Sequence, residues 1–220
     1  MAAVRTRDRI LAVSLALFNE AGLPAVSTHR IAAELGMSPG NLHYHFRTKQ
    51  LIVAALFRRF ETRLAECMEA AESVAALDDA WLALHLVFET VDAYRFVYRD
   101  VAYLLGEYGE LEARARSLTT RSLLATRNLC AALMGAGVID ARDEDVEMLA
   151  LQIVFAVTCW FNFERIAPKR GPGVQREPAL AAYYALTLLS PYVVGEARDY
   201  LKYLGSKYLA SPAIDAAGTP

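Results

Sequence analysis

Apolar residues recur at three- and four-residue intervals along most of this chain, the period of a helix with one buried face. Ile10, Leu11, Val13, Leu15, Leu17 and Phe18 predict a first helix over 7–20, stopped at Gly22. Ser27 or Thr28 caps a second over 28–35, with Ile31, Ala32 and Leu35 inward and Gly36 as its end. Ser38 before Pro39 pairs an N-cap serine with a proline at the first helical position. It starts a third helix of about two turns, with Leu42 and Phe46 four apart, that ends before Arg47 and Thr48. A fourth follows from Lys49 to about Ala71. Further helices are predicted at about 80–91, 93–105, 110–134, 143–166 and 179–205. Gly106 with Gly109, and Gly135 with Gly137, mark breaks, and Pro191 bends or splits the last helix. The segment 168–178, with three prolines and two glycines, reads as a loop, and the tail after about 211 as frayed. The expected class is all-α, with about nine helices.

Charge changes this picture more than composition does. The 220 residues are 55% hydrophobic, enough for a core without disulfides or metals. The whole chain carries a formal charge of −2, yet residues 1–60 sum to +5 and the remainder to −7. A basic head on an acidic body separates a surface suited to phosphates from one suited to something else. Cys67, Cys130 and Cys159 have neither disulfide nor metal spacing and read as buried free thiols in a reducing compartment. The apolar stretch Met148 to Phe163 is interrupted by Gln152 and is shorter than a span of roughly 20 residues, so it reads as a buried helix. The amino terminus lacks a signal-like apolar region. A cytoplasmic protein with no membrane partner is expected.

A helix that enters the DNA major groove needs short or planar polar side chains outward and apolar ones fixing its back. Ser38, Pro39, Gly40, Asn41, His43, Tyr44 and His45 supply the outward set, and Leu42 and Phe46 the anchor. Ser27, Thr28, His29 and Arg30 stand at the start of the preceding helix, where His29 or Arg30 reaches a base edge or a phosphate. Lys49 opens the fourth helix next to the DNA backbone, and Arg5, Arg7 and Arg9 track phosphates outside the module. His43 and His45 lack a third ligand, so no metal site is expected.

The stretch from Ile10 to Leu56 resembles the amino-terminal domain of the TetR family of bacterial transcriptional regulators. The resemblance rests on Ala21-Gly22, Thr28, Ile31-Ala32, Leu35-Gly36-Met37-Ser38, Gly40 through Phe46, and Lys49. It implies that Ser27, Thr28 and His29 sit at the support-helix end, that Ser38 through His45 form the recognition helix, and that Lys49 contacts phosphate. His43 stands where the family often has tyrosine. The expected domains are a DNA-binding head (1–50), a helical body (51–210) and a flexible tail (211–220).

The resemblance further implies a body that binds a small molecule and pairs with a second copy. Trp81, Phe88, Tyr98, Phe155 and other body aromatics either line a cavity or fill the core. His85 lies between leucines, and Arg99 and Asp100 break an apolar helix, either pairing structurally or orienting a ligand's polar end. The ligand candidates are Trp81, His85, Phe88, Tyr98, Arg99, Phe155 and Cys159, for a lipophilic or aromatic effector. The segments 143–166 and 179–205 are the expected homodimer seam, the second made adhesive by Tyr183, Tyr184, Leu186, Leu188, Leu189, Tyr192 and Val193. The expected function is a repressor that binds a palindromic double-stranded DNA operator as a homodimer and is released by its effector. A transcriptional activator and a ligand-blind DNA binder are the alternatives. An enzyme is remote, since no phosphate loop, nucleophile elbow or metal set is present, and no cofactor is expected.

Overall fold

A computed structural model describes residues 2–71, 74–167 and 178–209. Most of the predicted loop at 168–178 and the tail from 211 lie outside these residues. The described chain is all helix apart from one isolated bridge. In order it forms α1 (Ala2–Ala21), α2 (Thr28–Glu34), α3 (Pro39–His45), α4 (Lys49–Ala70), α5 (Leu77–Ala93), α6 (Phe96–Arg99) and α7 (Val101–Glu107). A 3₁₀ turn at Gly109–Leu111 leads into α8 (Glu112–Gly135), then α9 (Asp143–Ile166), α10 (Pro178–Thr187) and α11 (Ala197–Leu209). The eleven helices exceed the expected nine because two predicted segments each split. The 93–105 segment breaks at Asp100, and the last one breaks at the turn that holds Pro191. Proline lacks the N–H that a continuous helix needs there.

Two compact units result. The first comprises residues 1–64 and 93–118, so the expected head (1–50) forms one part of a larger compact unit. Packing draws the start of α4 and all of α6 and α7 to it. Phe60 of α4 meets the rings of Tyr94 and Tyr98, each at 5.7 Å, and Phe18 of α1 meets Phe96 at 5.5 Å. Ile10, Phe18, Leu23, Ile31, Ile52 and Phe60 are fully buried.

The second unit holds residues 65–92 and 119–220. Asp79 starts α5 by accepting the Ala75 and Ala76 N–H groups at 3.1 and 3.0 Å. Asp145 does the same for α9, accepting the Arg142 N–H at 3.1 Å, so the acids predicted at that end also cap it. Ile139 and Val193 form the bridge, and the Asp140 N–H donates to the Tyr192 carbonyl at 2.8 Å.

Two expectations need correction here. Tyr183, Leu186, Leu189 and Val193 are buried within the chain, so much of the last segment's apolar character belongs to this unit's own core, while Tyr184, Leu188 and Tyr192 are half-buried and Tyr203 is exposed. The stretch in α9 is buried on one face only. Val146, Leu149, Ala150, Ile153, Val157 and Phe161 point inward, while Met148, Leu151, Phe155, Phe163 and Ile166 are exposed. Among the described residues α9 is the one helix long and apolar enough to cross a membrane by length and composition, with 39% of its most apolar window buried.

The thiols also divide. Cys130 is buried, whereas Cys67 and Cys159 are half-buried, and Cys67 lies 3.4 Å from the Thr90 hydroxyl. Burial pushes the Cys130 thiol up to about 11, because the thiolate is poorly solvated there. At about pH 8 a thiol-selective reagent is therefore expected to spare Cys130 in the folded protein and to label it only after denaturation. Labelling followed by peptide mass mapping checks this.

Candidate nucleic-acid interface

Local chemistry sets the two short helices. The Ser27 hydroxyl accepts the Arg30 N–H, and the Ser38 hydroxyl accepts the Asn41 N–H, each at 3.2 Å. Pro39 follows directly as the first residue of α3. Between the helices Gly36 adopts φ +62, and the Met37 N–H returns to the Ala32 carbonyl at 3.0 Å. A left-handed residue here favours glycine and reverses the chain in the least length.

The seven residues of α3 then have two faces. Leu42 and the C-cap Phe46 are buried at 2% and 1% exposure. Pro39, Gly40, Asn41, His43 and Tyr44 are exposed, and His45 is half-buried. Tyr44 stands 82% clear, with the His45 ring edge-on at 5.3 Å. Thr28 is half-buried, and Ser27, His29, Arg30 and Ser38 are exposed. The expected outward set is thus brought to the start of α2 and along α3, and its backing is apolar. This surface offers donors, acceptors and one large planar ring without a buried charge.

The basic residues behave differently from expectation. Lys49 does not face outward. Its ammonium donates to the Leu23 carbonyl at 2.5 Å and lies 5.7 Å from the Phe18 ring and 5.8 Å from that of Tyr103. Burial lowers its pKa, partly opposed by the carboxylates of Asp100 and Glu107. Arg9 donates to the Leu35 carbonyl at 2.8 Å, closing the end of α2, and Arg7 lies 4.5 Å over the Phe46 ring. These two arginines brace the short helices from α1. Arg5 is exposed.

The ligand candidates fall in both units. Tyr98 and Arg99 belong to the first unit, where the Arg99 guanidinium is engaged by Phe18, Asn19 and Asp100. The other five belong to the second. There Trp81 and His85 stack at 5.1 Å and 7°, and Phe88 is buried against Trp160 at 6.1 Å. The Trp81 Nε1 and His85 Nδ1 atoms are both buried without a hydrogen-bond partner among the described residues, while His85 Nε2 lies 3.3 Å from Glu89. Cys159 is half-buried, and Phe155 is 67% exposed, so it faces out from the helix instead of lining an interior. Sequence reasoning passed over Asn19 and Leu23, whose polar atoms meet partners more than seventy positions away.

Comparison with known proteins gives the family of the chain. Residues 10–61 match the family described as "Bacterial regulatory proteins, tetR family", and residues 59–201 match "TetR: Bacterial transcriptional repressor". A solved TetR-family transcriptional regulator from Marinobacter aquaeolei VT8 is 36% identical, with a TM-score of 0.82 over 92% of this chain and 98% of that one. The "Probable HTH-type transcriptional regulator YttP" of Bacillus subtilis (strain 168) is 27% identical over 106 residues, 44% of this chain. The match spans about half (51%) of that relative's length. AibR, solved with isovaleryl coenzyme A and operator DNA, shares the fold at 16% identity, with a TM-score of 0.64 over 84% of this chain and 98% of that one.

Stability and reading should separate by residue. Ser38→Ala removes a helix cap and is expected to cost about 1 kcal/mol. Tyr44→Ala, at an exposed site, should stay within about 0.5 kcal/mol of the parent. Chemical denaturation of both variants measures the contrast.

Proposed function

The chain belongs to the TetR family of bacterial transcriptional regulators, and we propose that it is a repressor that reads a palindromic operator as a homodimer and is released by a small molecule. The observation that carries this reading is α3, a two-faced helix with Leu42 and Phe46 locked behind an outward Asn41, His43, Tyr44 and His45. Planar and short polar side chains on such a helix suit base edges and phosphates in the major groove. Ser27, Thr28, His29, Arg30, Ser38, Pro39 and Gly40 extend the same contact surface in this proposal. Lys49 joins it only if its ammonium leaves the Leu23 carbonyl.

A palindrome needs a two-fold protein, with heads roughly 34–36 Å apart or a multiple of that. The exposed apolar face of α9 supplies the seam, since Met148, Leu151, Phe155, Phe163 and Ile166 lie on the side opposite the buried residues. The effector belongs to the second unit, beside Trp81 and His85. Two buried ring nitrogens without partners among the described residues cost about 1–3 kcal/mol each unless something answers them. A lipophilic or aromatic molecule with one hydrogen-bonding group fits these rings. That AibR was solved with an acyl-coenzyme A and operator DNA supports both partner classes for this fold. Release requires only that the effector bind one conformer better than the other.

Selection of genomic fragments by the purified protein, followed by gel shift at defined salt, tests the reading. A palindrome should emerge, and Tyr44→Ala or His45→Ala should abolish its preference over bulk DNA. Recovery of salt-sensitive bulk DNA alone would overturn it. In sedimentation, Phe155→Glu is expected to shift the dimer to monomer and to weaken operator binding in step, since it buries a charge in the seam.

A further inference from the structure

The last carbonyls of a helix have no partner within it, and at the end of α1 they are answered from α6. Arg99 Nη2 donates to the Phe18 carbonyl at 2.6 Å, 81 positions away, and Nη1 donates to the Asn19 carbonyl at 2.7 Å. The same guanidinium pairs with the neighbouring Asp100 carboxylate, at 2.9 Å from Nη2 and 3.2 Å from Nε. Asp100 in turn accepts the Leu23 N–H at 2.7 Å. Asn19 completes the joint, since its Nδ2 donates to the Ala93 carbonyl at 2.8 Å and its Oδ1 accepts the Phe96 N–H at 3.2 Å. The two charged side chains are only 11% and 12% exposed.

All these bonds meet at the corner between α1 and α2. Gly22 turns the chain there at φ +92, with Arg99 and Asp100 within 4 Å of where a Cβ would stand. The corner determines where α2 begins, and α2 carries α3. A guanidinium fork fixes direction as well as distance, because its donors are rigid and planar. A lone aliphatic contact would fix neither.

We propose that Arg99 and Asp100 are positioning residues for operator reading. They touch no DNA. They hold the α1–α2 corner so that each head presents α3 at one angle, and this narrows the half-site spacing that a dimer accepts. The inference rests on the operator-reading function above and goes beyond it by giving spacing selectivity to an ion pair on α6.

The test uses the full-length protein, the palindrome it selects, and two versions of that palindrome with one base pair inserted or deleted at the centre. Each change shifts one half-site by roughly 3.4 Å and turns it by about 35°. The parent should bind both altered sites at least roughly tenfold more weakly. Arg99→Lys keeps the charge and loses the fork, and Arg99→Ala loses both. Each should weaken the selected site and reduce the spacing penalty to within about threefold. Asp100→Asn keeps an acceptor for the Leu23 N–H and should fall between parent and Arg99→Ala. Leu129→Ala opens a cavity in the core of the second unit, whereas the corner belongs to the first. It should lower the melting temperature and leave the spacing profile unchanged. If Arg99→Lys folds by circular dichroism and keeps the parental penalty, or if Leu129→Ala flattens the profile equally, the proposal is overturned. If the parent selects no palindrome, the operator-reading function fails first and the proposal falls with it.

Discussion

A seven-residue helix cannot stand by itself in water, where isolated helices become marginal below about 12–15 residues. The reading surface of this protein is such a helix, so its existence and its direction come from what lies behind it. Leu42 and Phe46 supply the apolar hold, Ser38 and Pro39 fix the first turn, and Arg7 stacks against Phe46 from α1. Arg9 ties the preceding helix to α1 by donating to the Leu35 carbonyl. Arg7 and Arg9 thus serve as braces for the short helices, whereas Arg5, Arg30 and Arg47 are exposed.

The head was legible in the sequence because its determinants are local. Cap serines, a proline at the first helical position and glycines at Gly22 and Gly36 act within four residues of their own positions. Long-range pairings were not legible. The sequence showed Arg99 and Asp100 as polar residues in an apolar helix, and of the two roles considered the structural one fits their contacts. Nothing near them in the chain pointed to Phe18, Asn19 or Leu23. The surroundings of Lys49 were not legible for the same reason, since its acceptor and the rings around it come from α1, the following turn and α7.

The apolar helices α9 and α10 show where periodicity loses information. When nearly every position is apolar, the pattern no longer tells which face is inward. In α10 Ala181, Ala182, Tyr183, Ala185 and Leu186 turn out to be core, while α9 divides its apolar residues between interior and surface. A helix apolar on both faces in a chain of this kind asks for a second surface to cover it. The buried ring nitrogens of Trp81 and His85 raise the matching question for polar groups.

The discontinuous make-up of the first unit bears on how such regulators can be recombined. Residues 93–118 pack with residues 1–64, although twenty-eight residues of the other unit separate them in the chain. A chimera joined near residue 50 would transplant α1 to α3 onto a foreign α6 and leave the carbonyls of Phe18 and Asn19 facing whatever side chains that host carries. A transferable reading module must instead take both segments, or at least bring Arg99 and Asp100 with the head they were paired to. The exchangeable part of this protein is thus defined by its contacts and not by a single cut in the chain.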